Sequence, residues 1–258
     1  MSRMMEEQVV DAAGHFCFEG IYQNHKPCGN GHINDTYLLV YLTGGQKKRY
    51  ILQCMNKDIF SKPVQLMENI VGVTSYLRRI IIADGGDPQR ETLNVIPAKD
   101  GKAYYVDAQN EYWRAYHYIE NASSFEQVEK PEDFYESALA FGRFQRQLAD
   151  YPAETLHETI PGFHDTKARF EAFKEAVKKD VCSRAAFVKK EIDFVLEREE
   201  ITSVFGDLLA RKEIPLRVTH NDTTLNNIMI AHETRKGIGV IELETVMPGL
   251  GLNDFGES

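Results

Sequence analysis

The most informative stretch of this chain is Thr219-His220-Asn221-Asp222-Thr223-Thr224-Leu225-Asn226-Asn227, closely followed by Val240-Ile241-Glu242-Leu243-Glu244. The first stretch is a polar loop between two short apolar segments, 214–218 and 228–230. A third apolar segment, 238–241, ends at an acid. This layout is typical of a phosphoryl-transfer site, where a carboxylate receives a hydroxyl proton and oxygen ligands hold Mg²⁺ against the phosphates.

Three side chains of these stretches have predicted roles. Asp222 is the candidate catalytic base. Asn227, five residues later, and Glu242, at the end of the third apolar segment, are the candidate metal ligands. Mg²⁺ bound to nucleotide phosphates takes oxygen ligands and needs only one or two protein carboxylates, so this small set is sufficient.

Two other interpretations of the same residues stay open at this point. The Asp and Asn side chains could simply bond to the backbone of a turn, as these residue types often do. Alternatively, His220, Asp222 and His232 could be the ligands of a metal hydrolase. The second alternative is the weaker one because the chain lacks the HExxH or CxxC spacing of common metal sites.

Composition narrows the class of protein. The chain has 258 residues, of which 43% are hydrophobic and 27% charged, and its net charge is −9. An acidic chain without a clustered basic face is not expected to bind nucleic acid. No run approaches the roughly 18 apolar residues of a membrane span, and the N-terminus lacks an apolar signal region. The widely spaced cysteines suit free thiols in a reducing cytoplasm. They are Cys17, Cys28, Cys54 and Cys182.

The first half of the chain is predicted to be a small sheet that carries one helix. Periodicity predicts helices over 5–14 and 63–79. Alternating β-branched and aromatic residues predict strands over 15–23, 36–42, 49–55, 93–98, 103–107 and 112–119. Gly29 and Gly31 fall in the loop between the first two strands. Glycines there would let backbone N–H groups approach an anion closely, although an ordinary loop has the same composition.

The second half is predicted to be mainly helical. Helices are expected over 131–148, 166–178 and 185–209, with Pro131 opening the first of them. The change of character near residue 120 predicts two lobes, a nucleotide-binding lobe over 1–119 and a catalytic lobe over 120–258.

Blocks of sequence along almost the whole chain resemble the aminoglycoside phosphotransferase/choline kinase family, and within it the N-acetylhexosamine 1-kinase branch. The blocks are Gly29-Asn30-Gly31-His32-Ile33-Asn34-Asp35-Thr36-Tyr37, Tyr50-Ile51-Leu52-Gln53, Leu66-Met67-Glu68-Asn69-Ile70, Trp113-Arg114, Phe141-Gly142-Arg143-Phe144-Gln145, Glu158-Thr159-Ile160-Pro161-Gly162-Phe163-His164-Asp165, Asp222–Asn227, Thr245-Val246-Met247-Pro248-Gly249 and Asp254-Phe255-Gly256.

This resemblance implies an α+β, protein-kinase-like bilobal fold with a small β-rich N-lobe and a mainly helical C-lobe. It implies that ATP phosphorylates the anomeric 1-hydroxyl of an N-acetylhexosamine, with Mg²⁺ as cofactor and a small-molecule sugar as partner. Asp222 would be the base, and Asn227 and Glu242 would bind Mg²⁺. Backbone at Tyr118–Glu120 would meet adenine as the hinge. The loop Gly29–Asn34 would border the phosphates and the sugar, with His32 contacting the sugar and Gly29, Gly31 and Asn34 near the nucleotide.

Three positions depart from the family pattern. The metal-binding acid, usually Asp, is Glu242, whose extra methylene adds about 1.5 Å of reach. Cys54 stands where the family usually places a phosphate-facing cation, and Lys57, with Glu68 as its partner, is the candidate substitute. The third is the chain end: the sequence stops at Ser258, so the C-terminal helices of the larger lobe are expected to be missing.

Two alternative functions are compatible with these departures. One is a catalytically impaired relative that binds a nucleotide or a sugar. The other is an active kinase for a different alcohol, such as an amino alcohol or a thio-sugar. The choice between ATP and GTP and the oligomeric state are not determined by the sequence.

Overall fold

The structure, a computed structural model, describes residues 6–29, 33–128 and 130–257. It divides into two compact units, Met1–Thr159 with Arg217–Ser258 and Ile160–Leu216. Across the described residues, no helix combines the length and the apolar character that crossing a membrane requires.

The first unit contains a six-stranded antiparallel sheet, whose order is β1-β2-β3-β6-β4 with β5 also paired to β6. Its strands are β1 (Ile21–Pro27), β2 (Asp35–Thr43), β3 (Gln46–Met55), β4 (Val95–Ile96), β5 (Tyr105–Val106) and β6 (Tyr112–His117). The predicted first strand begins later than expected, because part of 15–20 forms only an isolated bridge between Phe16 and Ala98.

One face of this sheet forms an apolar core with the N-terminal helix α1 (Glu6–Gly14). Leu39, Leu52 and Trp113 are fully buried there, and the indole N–H of Trp113 donates to Asp107 Oδ2 at 2.8 Å. Because side chains alternate across a strand, the neighbours of these residues in sequence face the opposite side. The register pairs Gln53 of β3 with Arg114 of β6, so these two polar residues share that opposite side.

The orientation of Cys54 corrects an expectation from the sequence. Its side chain belongs to the apolar core with Trp113, and it does not lie on the side that carries Gln53. Burial raises the pKa of its thiol to about 12, so the thiol stays protonated. The prediction that position 54 faces the phosphates is therefore wrong, because the strand alternation assigns this position to the core.

Helix α2 (Pro63–Ala83) begins at a proline, as predicted, and runs one turn further than expected. Its apolar stripe is buried at three-to-four spacing, at Leu66, Met67, Ile70, Val73, Leu77 and Ile81. The helix ends before Gly85, whose φ of 77° is a left-handed conformation that glycine adopts without strain.

The rest of the first unit combines short strands with two helices. These are β7 (Ala122–Ser123), α3 (Pro131–Gln147), β8 (Arg217–Thr219), β9 (Ile228–Ala231), β10 (Gly237–Val240), β11 (Met247–Gly249) and α7 (Gly251–Glu257). β10, β9 and β7 form one sheet, and β11 pairs with β8. A side chain at Gly237 would approach the carbonyl oxygen of Glu136 to 2.9 Å, so the glycine allows α3 to lie close to β10.

The second unit contains α4 (Thr166–Lys179), α5 (Lys189–Leu196) and α6 (Val204–Ala210). The single helix predicted over 185–209 is wrong, because two 3-10 segments, Ala185–Val188 and Glu199–Ser203, interrupt it. The guanidinium of Arg198 donates to the carbonyl oxygen of Phe194 at 2.7 Å. In a continuous α-helix this oxygen would accept the backbone N–H of Arg198. That N–H bonds to Val195 O instead, and α5 ends.

Candidate active site

The loop after β8 places Asp222 beside Asn227. Asn227 is buried in a single 3-10 turn, Leu225–Asn227, and its side-chain nitrogen donates to Asp222 Oδ2 at 2.8 Å and to the carbonyl oxygen of Asp222 at 2.9 Å. Asp222 itself is exposed. Since the amide nitrogen is committed to Asp222, the amide oxygen is the atom of Asn227 that remains for a cation. Asn227 thus bonds to the backbone of Asp222, as in the simple-turn interpretation, and in addition orients the Asp222 carboxylate.

Glu242 is brought next to this pair by strand pairing. Val240 of β10 pairs with Ile228 of β9, and the N–H of Ile241 then donates to the carbonyl oxygen of Asn227 at 2.8 Å. Glu242 follows with φ 56° and ψ 62°, a left-handed conformation that is uncommon for a residue other than glycine. Such backbone strain is concentrated at functional sites. The segments that carry Asp222, Asn227 and Glu242 are thus adjacent, joined by the backbone hydrogen bond between Ile241 and Asn227.

Asp254 of α7 anchors the backbone of the loop. Its two carboxylate oxygens accept the N–H groups of His220 and Asn221, each at 2.9 Å, and its carbonyl oxygen accepts the hydroxyl of Thr223 at 3.0 Å. Asn221 has a left-handed φ of 65°, and its side chain donates to Thr245 O at 2.7 Å. Hydrogen bonds from both its backbone N–H and its side chain therefore fix Asn221, the residue before Asp222.

His220 is a structural residue of this loop. Its ring is fully buried, lies edge-on to Phe141 and Phe144, and bonds through Nε2 to the carbonyl oxygen of Ile241 at 3.0 Å. Because the acceptor is a carbonyl, Nε2 carries the proton. Burial lowers the pKa of His220, which keeps the imidazole neutral. The ring thus links the loop to the segment that carries Glu242.

The metal-hydrolase alternative is contradicted by these contacts. Nε2 of His220 is already used, and His232 bonds through Nε2 to the hydroxyl of Ser123 at 2.8 Å. Within residues 6–29, 33–128 and 130–257, no group of three or more His, Cys, Asp or Glu side chains is placed to hold a metal ion. A site with one carboxylate and one amide is compatible with Mg²⁺ only when a ligand such as a nucleotide supplies further oxygens.

The predicted hinge lines an open cleft. The N–H of Tyr118 donates to the carbonyl oxygen of Arg49 at 3.3 Å, and the carboxylate of Glu120 accepts Arg49 Nε at 2.9 Å. Both residues border a cavity of about 780 Å³ together with Leu38 and Val40 of β2. The cleft thus combines two apolar strand residues with a charged rim that includes Arg49 and Glu120.

The glycine loop is only partly described. Gly29 has a φ of 78°, which explains why a glycine stands at this turn into the loop. Gly31 and His32 lie outside the described residues. Asn34, predicted to lie near the nucleotide, uses both ends of its amide within the protein: Nδ2 donates to Glu244 Oε1 at 3.0 Å, and Oδ1 accepts the N–H of Asn56 at 3.1 Å.

Sequence reasoning assigned no role to Arg114 and Glu244. Arg114 Nη2 donates to Glu244 Oε1, and Arg114 Nε donates to Gln53 Oε1 at 2.9 Å. The available signal was a polar residue at a buried strand position, Gln53 in β3 and Arg114 in β6, since buried polar groups require partners. Lys57 does not pair with Glu68: it contacts Glu111 Oε1 at 2.9 Å.

Comparison with known proteins identifies a family and a fold. A model of the phosphotransferase enzyme family matches residues 24–257. Spectinomycin phosphotransferase APH(9)-Ia, solved with ADP and spectinomycin, is similar with a TM-score of 0.59 at 14% identity, over 98% of this chain and 73% of that one. An aminoglycoside phosphotransferase from Alicyclobacillus acidocaldarius has a TM-score of 0.58 at 10% identity, over 98% and 70%.

A third similar structure is aminoglycoside phosphotransferase APH(3'')-Id from Streptomyces rimosus, solved with ADP and streptomycin. Its TM-score is 0.51 at 12% identity, over 98% of this chain and 81% of that one. At these identities the likeness concerns the fold alone. It confirms the prediction of an α+β, protein-kinase-like fold.

Proposed function

Because the chain belongs to the phosphotransferase enzyme family, we propose that it transfers the γ-phosphoryl group of ATP to the anomeric 1-hydroxyl of an N-acetylhexosamine. Family membership confirms the coarser predictions, namely a phosphotransferase that acts on an alcohol group, with ATP and Mg²⁺ as cofactors. The observation that carries the proposal is the contact between Asn227 and Asp222 Oδ2, with Glu242 held next to Asn227 through Ile241.

The donor set of the site fits Mg²⁺. Asn227 offers an amide oxygen and Glu242 a half-buried carboxylate, and both are the hard oxygen ligands that this ion prefers. These two residues would hold the ion, and the nucleotide phosphates would complete its coordination. When bound, Mg²⁺ neutralises charge on the phosphoryl oxygens.

Asp222 is proposed to act on the acceptor hydroxyl. Its Oδ2 is held by Asn227, so Oδ1 is the oxygen that accepts the hydroxyl proton. The sugar oxygen forms a bond to the γ-phosphorus as the bond to the ADP oxygen breaks, and the proton moves to the carboxylate. Positioning and electrostatics supply most of the acceleration in such transfers.

The nucleotide is proposed to bind in the cleft lined by Leu38, Val40, Tyr118 and Glu120, with adenine at the hinge backbone. The loop from Gly29 to Asn34 would border the phosphates and sugar, with Gly31 and His32 in the roles that the resemblance implies. The division into a nucleotide-binding lobe, residues 1–119, and a catalytic lobe, residues 120–258, is part of the same proposal.

A substrate panel tests the proposal. The protein is incubated with MgATP and N-acetylglucosamine, N-acetylgalactosamine, an amino alcohol or a thio-sugar, and ADP release is followed against an Asp222→Asn control. We expect ADP release that depends on an N-acetylhexosamine and that requires Asp222. Turnover with only the amino alcohol or thio-sugar would contradict the sugar assignment, and no acceptor-dependent ADP release would contradict the activity.

A further inference from the structure

Arg114 and Glu244 form a buried ion pair that the proposed chemistry does not use directly. Arg114 is 1% exposed and Glu244 is 5% exposed, and the guanidinium donates to the carboxylate. Arg114 lies in the middle of β6, and Glu244 lies in the 3-10 turn Leu243–Thr245, two residues after Glu242. The pair therefore joins the sheet to the segment that carries the proposed metal ligand.

The pair also reaches the loop after β1. Glu244 Oε1 accepts Asn34 Nδ2 at 3.0 Å, and Asn34 Oδ1 accepts the N–H of Asn56. On the other side, Arg114 Nε donates to Gln53, whose amide nitrogen donates to Thr36 Oγ1 at 3.0 Å. One continuous network thus connects β2, β3 and β6 with both segments that would surround the phosphates.

Protein kinases hold the corresponding region with an ion pair between a lysine of the third strand and a glutamate of the following helix. The described residues make no such pair here. Position 53 of β3 is a neutral glutamine. On α2, Glu68 pairs with His157 Nε2 at 2.6 Å, and Asn69 donates to the carbonyl oxygen of Val246 at 3.0 Å. Arg49 of β3 lies on the same side of the sheet but pairs with Glu120, so the cation that reaches the segment carrying Glu242 is Arg114.

Stability alone is a poor explanation for the pair. Buried ion pairs seldom stabilise a fold more than apolar residues of similar volume would. Here the cost is increased, because Arg114 Nη1 is buried without a hydrogen-bond partner among the described residues. A buried donor without a partner destabilises the folded state, so stability alone gives little reason to keep this pair.

We propose that Arg114 and Glu244 are positioning residues for phosphoryl transfer: the pair replaces the strand–helix ion pair and fixes the Glu242 segment against β3, β6 and Asn34. The expected effect on catalysis rests on the proposed function. The position of the Glu242 segment should also affect how tightly Mg²⁺ and a nucleotide bind together, and this binding can be measured without a sugar substrate. A displacement of about 1 Å at such a site costs on the order of a hundredfold in rate.

The first test replaces both partners by apolar residues of similar size, Arg114→Met with Glu244→Met. Removing both charges avoids a lone buried ion, so the variant is expected to fold. Its melting temperature should be lower than that of the parent, because the buried amides of Gln53 and Asn34 lose their partners. Kinetics and binding are therefore compared at a temperature where both proteins are folded. We expect kcat to fall about 100-fold and the gain in ADP affinity on adding Mg²⁺ to fall about tenfold. ADP affinity without Mg²⁺ should stay unchanged, because the adenine cleft is untouched. A folded double variant with parental kcat and parental Mg²⁺ dependence would overturn the proposal.

A second variant keeps the test decisive if the double variant does not fold. Arg114→Lys retains the charge beside Glu244 but loses the planar fork, whose Nε and Nη2 atoms reach Gln53 and Glu244 separately. We expect it to fold and to need about tenfold more Mg²⁺ for half-maximal effect; a parental Mg²⁺ requirement would again overturn the proposal. The control is Asp100→Ala with Lys102→Ala, which removes an exposed ion pair of the same unit, 3.0 Å between Lys102 Nζ and Asp100 Oδ2, and should change neither quantity.

Nucleotide binding separates this proposal from the proposed function. If the parent protein binds MgADP but phosphorylates no sugar, the sugar assignment fails while the Mg²⁺-linked gain in ADP affinity still measures the effect of the pair. If that gain is present in the parent and unaltered in both Arg114 variants, the positioning role fails whatever the substrate is.

Discussion

Replacing Asp222 by Asn is expected to lower kcat by about three orders of magnitude, because the variant loses the carboxylate that accepts the hydroxyl proton and orients the acceptor. In the parent, Asn227 Nδ2 lies 2.8 Å from Asp222 Oδ2. The side-chain oxygen of an Asn at position 222 can accept the same hydrogen bond. Asp222 is exposed, so the substitution leaves no buried group without a partner. The affinity for MgADP and the melting temperature should therefore stay close to those of the parent.

Steady-state kinetics with ATP and the accepted sugar, together with ADP titration and thermal melting, measure these quantities. Glu126→Gln is a suitable control, since Glu126 is another exposed carboxylate of the same unit and should be silent. If the Asp222→Asn variant, which lacks the proton acceptor, keeps a kcat within about threefold of the parent, Asp222 is not the catalytic base.

Replacing Asp254 by Ala is expected to affect both stability and activity. The side chain is 1% exposed, and its loss would leave the buried N–H groups of His220 and Asn221 without their acceptors. Each such group costs about 1–3 kcal/mol, so with two of them the free energy of unfolding should fall by about 2–6 kcal/mol. For a chain of this length that corresponds to a decrease of roughly 10 °C in melting temperature.

The same change should reduce kcat about 100-fold at a temperature where the variant is still folded, since Asp222 follows directly after the released backbone. Asp254→Asn, which keeps one acceptor oxygen, should fall between Ala and the parent. Asn253→Ala alters the neighbouring position of α7 and is expected to leave both measurements unchanged. An Asp254→Ala protein with parental melting temperature and kcat would show that the loop does not depend on this anchor.

Local periodicity was sufficient to predict most of the first unit. The hairpin of β2 and β3 and the helix α2 lie where alternation, turn residues and the apolar stripe predicted them. The single helix over 185–209 was wrong: the range begins with the 3-10 segment Ala185–Val188, and α5 ends before Glu199–Ser203, where the Arg198 side chain bonds to Phe194 O. Such competition between side chain and backbone leaves no trace in hydrophobic periodicity.

Contacts between residues that are distant in sequence could not be predicted from local patterns. Asp222 and Asn227 are five residues apart, and the local pattern already assigned both of them to one site. Arg114 and Glu244 are separated by 130 residues, and nothing at either position names the other as its partner. Strand register also determines the orientation of Cys54. Because Gln53 pairs with Arg114 on one face of the sheet, Cys54, the next residue, points to the apolar core on the other face.

The central claim is that Asn227 and Glu242, beside Asp222, hold Mg²⁺ together with a nucleotide. Calorimetric titration of ADP in the presence and absence of Mg²⁺ tests it most directly, with the parent protein, Asn227→Ala and Glu242→Gln. We expect Mg²⁺ to raise ADP affinity about tenfold or more in the parent and to have little effect in either variant, while the affinity without Mg²⁺ is the same in all three. An undiminished Mg²⁺ effect in both variants would contradict the claim, because the ion would then be held elsewhere.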